Sequence, residues 1–219
     1  MNQGIVESET GVTLIAGGPV LKRDLRASLG LAPFLVAADG GADRALALGV
    51  APRAVFGDMD SITPETQAHL GALVHPIAEQ DSTDFDKALR HIRAPFVIGL
   101  GCLGGRVDHE LAALTVLARR TDVPCILVGR EDVIFAAPPA LTIDLEPGDR
   151  FSLYPLARVT GRSTGLNWPI EGLALAPNGR VGTSNRALGP VTLEMDMPGM
   201  LVIVPRIRLA RALSALLKV

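Results

Sequence analysis

Short apolar runs recur along the first part of the chain, at 12–16, 34–38, 54–56, 73–77, 96–103 and 125–128, and polar, turn-forming stretches separate them. Runs this short, bounded by turn residues, read as strands buried on both faces. Helix-period positions lie between them. Leu21 and Leu25 mark one amphipathic helix, and Phe85, Ala88, Leu89 and Ile92 fall at i, i+3, i+4 and i+7 to mark another. Leu111, Leu114, Thr115 and Ala118 outline a third. Thr83 is placed to cap the second helix, with Asp86 closing a capping box. Strands alternating with helices predict a parallel, Rossmann-like sheet covered by helices, an α/β domain over residues 1–137.

Past Pro138 and Pro139 the pattern changes to short β-like runs at 141–145, 151–153, 191–195 and 201–204. A smaller all-β domain is therefore expected over residues 138–219. Pro177-Asn178-Gly179 is its strongest hairpin signal, because Asn-Gly tolerates the positive φ angles of a tight two-residue turn. Residues 210–218 fit either a short helix or a last piece of the β domain. No internal repeat interrupts this order.

Composition narrows the partners. With 48% hydrophobic side chains over 219 residues, the chain can bury a substantial core. Its 21 basic and 23 acidic residues are spread without a long run of one sign, so neither nucleic acid nor an anionic membrane is expected as a partner. The apolar stretches at 96–103 and 200–205 are far shorter than the roughly 20 residues that cross a bilayer. Residues 1–10 carry Glu7 and Glu9 and lack the basic start and apolar run of a signal peptide, so a cytoplasmic location is expected. Cys102 and Cys125 sit in apolar runs without metal-site spacing and read as buried thiols.

The candidate chemistry sits in the loops. In an open parallel sheet, ligands bind where strands end, and the polar clusters follow strands or open helices. They are Gly17-Gly18, Asp39-Gly40-Gly41, Gly57-Asp58-Met59-Asp60-Ser61, the segment 81–86, and Gly104-Gly105-Arg106-Val107-Asp108-His109. Asp58 and Asp60, two apart after a strand, can aim both carboxylates to one side, where their repulsion calls for a cation. Magnesium suits hard oxygen donors and accepts one or two carboxylates beside phosphate oxygens. The alternative is a pair of plain loop acids. Asp81, Asp84 and Asp86 crowd a helix start, where acids also meet the helix dipole favourably. Asp84 lies off the apolar stripe and one turn before Lys87, a pairing suited to a metal and a phosphate. Gly40 and Gly41 fit a turn that brings backbone N–H groups to an anion, or a simple tight turn. Arg106 offers a planar fork for phosphate, and Asp108 a helix cap or a partner for a hydroxyl. Neither a P-loop nor a dinucleotide fingerprint is present.

Taken in order, Asp39-Gly40-Gly41-Ala42, Gly57-Asp58-Met59-Asp60-Ser61, Asp81-Ser82-Thr83-Asp84-Phe85-Asp86-Lys87 and Gly104-Gly105-Arg106-Val107-Asp108-His109 resemble the thiamin pyrophosphokinase family. The likeness continues through Gly165-Leu166-Asn167-Trp168-Pro169-Ile170-Glu171-Gly172 and Ser184-Asn185-Arg186-Ala187-Leu188-Gly189. It implies an α/β domain followed by a β-sandwich, a homodimer with active sites at the subunit interface, and transfer of diphosphate from ATP to the hydroxyl of thiamine, releasing AMP. By resemblance, Asp58, Asp60 and Asp84 hold Mg2+, with Asp39, Gly40, Gly41, Asp81, Thr83, Lys87, Arg106 and Asp108 around ATP and the reacting oxygen. Trp168, Ser184 and Asn185 are implied to meet thiamine, and Trp168 is a natural stacking surface for its flat, cationic rings. Met59 replaces a common phenylalanine, Trp168 a frequent tyrosine, and Arg186 stands where glutamate often follows Ser-Asn. Two alternatives stay open, a diphosphokinase for another heterocyclic alcohol such as a pterin, and a non-catalytic sensor of ATP or thiamine diphosphate.

Overall fold

The computed structural model describes residues 6–218, so the stretch 1–10 read for a leader lies partly outside the described residues. The chain divides into two compact units between Val116 and Leu117, ahead of the change of texture at Pro138.

In order, the first unit holds β1 (Val6–Glu7), β2 (Val12–Ile15), α1 (Lys22–Leu31), β3 (Phe34–Ala38), α2 (Gly41–Ala47), β4 (Val55–Gly57), α3 (Pro64–Leu70), β5 (Val74–Pro76), α4 (Asp84–His91), β6 (Ile92–Arg93) and β7 (Val97–Leu100). It also holds most of α5 (Val107–Arg119). The main sheet runs β7-β2-β3-β4-β5, and every neighbouring pair is parallel. β1 and β6 add a separate two-residue parallel ladder. β2 and β7 are buried along their whole length, as strands covered on both faces must be. The chain steps outward from β2 to β5 and returns on the other flank at β7, which makes the carboxyl ends of β2 and β7 a switch point where ligands bind in such sheets.

On α4 the periodicity holds for Phe85, Ala88 and Leu89, all buried; Ile92, the fourth position of the expected stripe, is also buried but lies past the end of the helix, with extended backbone in β6. Two other helix readings need correction. Leu21 precedes α1 and is exposed, whereas Leu25 is buried inside it. On α5 the buried face carries Ala113, Val116, Leu117 and Ala118 while Leu111 is exposed. Apolar residues occur almost all around α5, so spacing alone cannot select its inner face.

The second unit contains β8 (Cys125–Val128), β9 (Asp132–Ala136), β10 (Ala140–Ile143), β11 (Arg150–Pro155), β12 (Gly161–Leu166), β13 (Gly182–Met195), β14 (Met200–Pro205) and α6 (Leu209–Leu216). One antiparallel layer runs β8-β9-β14-β11-β13. β13 then carries on past Gly189-Pro190 and pairs with β10 and β12, where Thr192 faces both Thr142 and Thr164. One long strand thus belongs to both layers of a β-sandwich. Asn185, Ala187, Val191, Leu193 and Met195 alternate inward along it. The C-terminal segment is helical, and α6 packs its buried Ala212, Leu213, Ala215 and Leu216 beside β10. Pro177 and Asn178 do form a turn, closed by the Gly179 N–H on the Ala176 carbonyl, but it needs no positive φ and joins isolated bridges at Leu175 and Arg180, not two strands. Proline at the first corner and asparagine at the second suit the common type I turn.

Candidate active site

The site of the first unit begins where β3 ends. Asp39 takes up a left-handed backbone conformation at φ 44°, one that aspartate tolerates better than most residues. Its carboxylate is buried, and Oδ2 accepts the Ser61 N–H at 3.0 Å while Oδ1 accepts the Ile62 N–H at 3.1 Å. Asp39 therefore straps the loop after β4 down onto the sheet. Met59 at the crest of that loop is also left-handed, at φ 67°, between the two aspartates. Asp58 Oδ1 accepts the Asp60 N–H at 3.3 Å, and Asp60 Oδ1 accepts the Ser61 hydroxyl at 2.8 Å. Carboxylate oxygens from Asp39, Asp58 and Asp60 come within 4.8 Å of one another. Burial pushes Asp39 up to about 6, and the charge of Asp84 adds to the rise against the pull of the Ser61 N–H. An all-carboxylate donor set of this kind fits a hard divalent cation.

The opposite wall is α4. Thr83 caps it as expected, its hydroxyl accepting the Asp86 N–H. Asp84 Oδ1 accepts both the Asp58 N–H at 3.3 Å and the Lys87 ammonium at 3.0 Å. The same ammonium reaches Asp58 Oδ2 at 3.4 Å. Lys87 is only 1% exposed; burial opposes its charge, but hydrogen bonding and attraction to Asp84 and Asp58 outweigh that and raise it. Gly57 lets these groups meet, since a Cβ there would stand 2.8 Å from the Asp39 Cβ and 3.1 Å from Asp84 Oδ1.

Several residues act here that sequence reading passed over. Gln80 donates to Asp58 Oδ2 at 3.1 Å. Glu79 accepts from the Ser82 hydroxyl at 2.5 Å, from the Asp81 N–H at 2.9 Å and from the Arg90 guanidinium. The Ser82 hydrogen bond, then that of Arg90, draws Glu79 down to about 2. Gln80 was visible as a polar residue beside the acidic motif, whereas nothing in the spacing links Glu79 to Arg90. Asp81 itself stays exposed.

Gly41 serves close packing, because a Cβ there would come within 2.1 Å of the Ile15 carbonyl oxygen. Gly40 lies against Ser61. Arg106 places its guanidinium as a fork on Asp108, with contacts of 3.2 and 2.6 Å, and both side chains are exposed. Attachment to Arg106 holds Asp108 below the usual carboxylate range. The structure thus joins Asp39, Asp58, Asp60, Asp84 and Lys87 in one cluster, while Arg106 and Asp108 form an exposed pair of their own at the start of α5.

In the second unit, Trp168 is 58% exposed, which rules out a plug in the β-domain core. Asn185 is buried and spends its side chain on backbone, donating to the Trp168 carbonyl at 2.7 Å and accepting the N–H groups of Trp168 at 3.1 Å and Arg186 at 2.8 Å. Ser184 is left-handed, at φ 62°, and its N–H reaches the Ser152 hydroxyl at 2.9 Å.

Residues 26–127 match the family model described as thiamin pyrophosphokinase, catalytic domain, which includes all of the acidic cluster. Thiamine pyrophosphokinase 1 of Oryza sativa subsp. japonica is 30% identical over 185 residues, covering 68% of this chain and 70% of that protein. The thiamine pyrophosphokinase of Bacillus subtilis (strain 168) is 27% identical over 191 residues, 81% of this chain and 89% of its own length. Among solved structures, thiamin pyrophosphokinase from Geobacillus thermodenitrificans superposes with a TM-score of 0.71 at 25% identity, covering 89% of this chain and 96% of that one. With its acidic loops inside the matched catalytic region, its 30% identity to the Oryza sativa protein over two thirds of both chains, and its fold shared with the Geobacillus structure, this chain belongs to the thiamin pyrophosphokinase family.

Proposed function

We propose that the protein transfers diphosphate from ATP to the hydroxyl of thiamine, giving thiamine diphosphate and AMP. The convergence of Asp39, Asp58 and Asp60 within 4.8 Å carries this reading, because grouped carboxylates have a use where a cation must be held against polyphosphate. Asp58 and Asp60 are the ligands we assign to Mg2+, with Asp84 completing the acidic wall and Asp39 fixing the loop that presents them. Bound there, the metal supplies positive charge that offsets the phosphates.

Attack by a neutral alcohol on a crowded, negative phosphorus depends on positioning and charge neutralisation more than on covalent chemistry. Arg106 is suited to the second task, since its exposed fork can exchange Asp108 for a phosphate. Neither candidate for a general base is strong. Asp108 is stabilised as an anion by Arg106, and Asp84 is engaged by Lys87 and the Asp58 N–H. That favours a loose transition state that demands little proton abstraction. Trp168 offers an exposed aromatic face for the cationic rings of thiamine.

In this assignment residues 1–137 carry the ATP and metal chemistry, and residues 138–219 the thiamine and dimer surfaces. Exposed apolar side chains at Leu188, Met197 and Ile207 within that second stretch support assembly as a homodimer. The two buried cysteines, Cys102 and Cys125, suit a reducing, cytoplasmic setting, and among the described residues no helix is long and apolar enough to cross a membrane.

The test is direct. The purified protein with ATP, Mg2+ and thiamine should release AMP and thiamine diphosphate in equal amounts, and Asp58→Asn or Asp60→Asn should abolish both with an unchanged circular dichroism spectrum. AMP release with a pterin alcohol but not thiamine would move the acceptor; no AMP with either would leave a sensor.

A further inference from the structure

We propose that Asn185 is a positioning residue, whose buried carboxamide fixes the backbone of Trp168 and so sets the aromatic surface on which the flat, cationic substrate stacks. This deepens the assignment of Trp168 to thiamine and rests on it.

An exposed indole on a connecting segment ordinarily has freedom to lose when a ligand orders it. The segment after β12 has little. The Asn167 N–H is held by the Arg186 carbonyl at 2.9 Å, both backbone groups of Trp168 are held by Asn185, and the Ile170 N–H is held by the buried Ser163 hydroxyl at 3.1 Å. Pro169 adds its own restriction by steering Trp168 away from helical dihedrals. The result is a side chain 58% open to solvent on a backbone tied at successive points.

The chemistry of the carboxamide makes the assignment specific. Two N–H groups face its oxygen and one carbonyl faces its nitrogen, which fixes the amide orientation. Both acceptor positions of Oδ1 are then filled, and one Nδ2 hydrogen is committed. With 7% exposure, Asn185 has no acceptor left to offer a ligand. The left-handed turn at Ser184, anchored on Ser152, delivers it to this position.

Trp168 is the only tryptophan of the chain, so intrinsic fluorescence reads it without any substrate. In Asn185→Ala, steady-state anisotropy should fall and acrylamide quenching should increase. The thiamine KM should rise about tenfold while kcat and the ATP KM stay within about twofold. Asn185→Asp keeps both acceptor bonds and turns its second oxygen onto the Trp168 carbonyl, where a protonated acid donates and an ionised one repels, so the same readouts should move as pH is raised through its titration, and it decides the matter if the alanine variant does not fold. Unchanged anisotropy and quenching would overturn the role of Asn185, and a raised thiamine KM alongside them would mean that Asn185 touches the substrate directly. Altered fluorescence with an unchanged thiamine KM would also overturn the proposal; Trp168→Ala then tells whether Trp168 meets thiamine at all. Should the wild-type protein form no AMP from ATP and thiamine, the proposed function fails, and the fluorescence still decides separately whether Asn185 holds Trp168.

Discussion

The Lys87 ammonium lies 3.0 Å from Asp84 Oδ1 and 3.4 Å from Asp58 Oδ2, sealed from solvent between two carboxylates of the acidic cluster. It is a counter-ion built into the site. Removing one partner of a buried ion pair leaves the other uncompensated, so Lys87→Met should lower stability by about 2 kcal/mol, the measured cost being less than for a fully dry pair because Asp84 can hydrate. Added Mg2+ should then raise the thermal midpoint of Lys87→Met more than that of the wild type, since the metal replaces lost positive charge. Equal shifts in the two proteins would show that ammonium and metal do not share these carboxylates.

How far the sequence anticipates this arrangement differs from place to place. Strands β2, β3, β4 and β7 are short apolar runs covered on both faces, so the pattern finds them, and Phe85, Ala88 and Leu89 identify the inner face of α4. The two-residue β1 and β6 are too short to show, and Ile92 of β6 reads as one more helix position. The Asp58 and Asp60 spacing also places both acids in one loop, because Met59 turns the backbone between them. The first half of β13 escapes notice, since Ser184, Asn185 and Arg186 alternate polar residues where hydrophobic ones mark a strand. The role of Asn185 is hidden for a related reason: a buried asparagine declares itself only through partners that fold brings to it, here from seventeen residues away. Lys87 reads as a phosphate ligand by type, and only burial shows where its charge is spent.

Asp39 holds two backbone N–H groups at once, which makes it as much a loop anchor as a metal neighbour. Asp39→Asn replaces one acceptor by a donor facing another donor. The N–H left unsatisfied against another donor should outweigh the relief of removing a charge that burial disfavours, for a net cost of about 1 kcal/mol. Hydrogen exchange at Ser61 and Ile62 should quicken while amides in β2 and β7 stay protected. Uniform loss of protection across the sheet would instead mean that Asp39 supports the whole unit.

Gly41 tests the packing explanation of the double glycine. A Cβ at 2.1 Å from the Ile15 carbonyl oxygen forces backbone apart, because neither atom belongs to a flexible side chain. Gly41→Ala should therefore destabilise by about 2 kcal/mol in the absence of any nucleotide. Gly30, whose Cβ would meet nothing within 4 Å, is the internal control and should tolerate alanine. If Gly41→Ala weakens ATP binding but leaves the urea midpoint unchanged, the glycine serves the anion and not the packing.

Glu79 predicts a pH dependence whose sign can be worked out. Its hydrogen bonds to Ser82 and Arg90 lower it from 4.5 to about 2 in the folded protein. An acid depressed on folding contributes stability that is fully present above its unfolded value and disappears as pH falls through the folded one. The urea midpoint of the wild type should therefore exceed that of Glu79→Gln by a constant margin from pH 6 upward, shrinking between 4.5 and about 2. Because Glu79 also fixes the Asp81 N–H beside Gln80, which reaches Asp58, the variant should lose turnover at neutral pH with its sheet intact. A stability margin that persists at pH 2 would show that the carboxylate charge contributes nothing, and that Glu79 acts through shape alone.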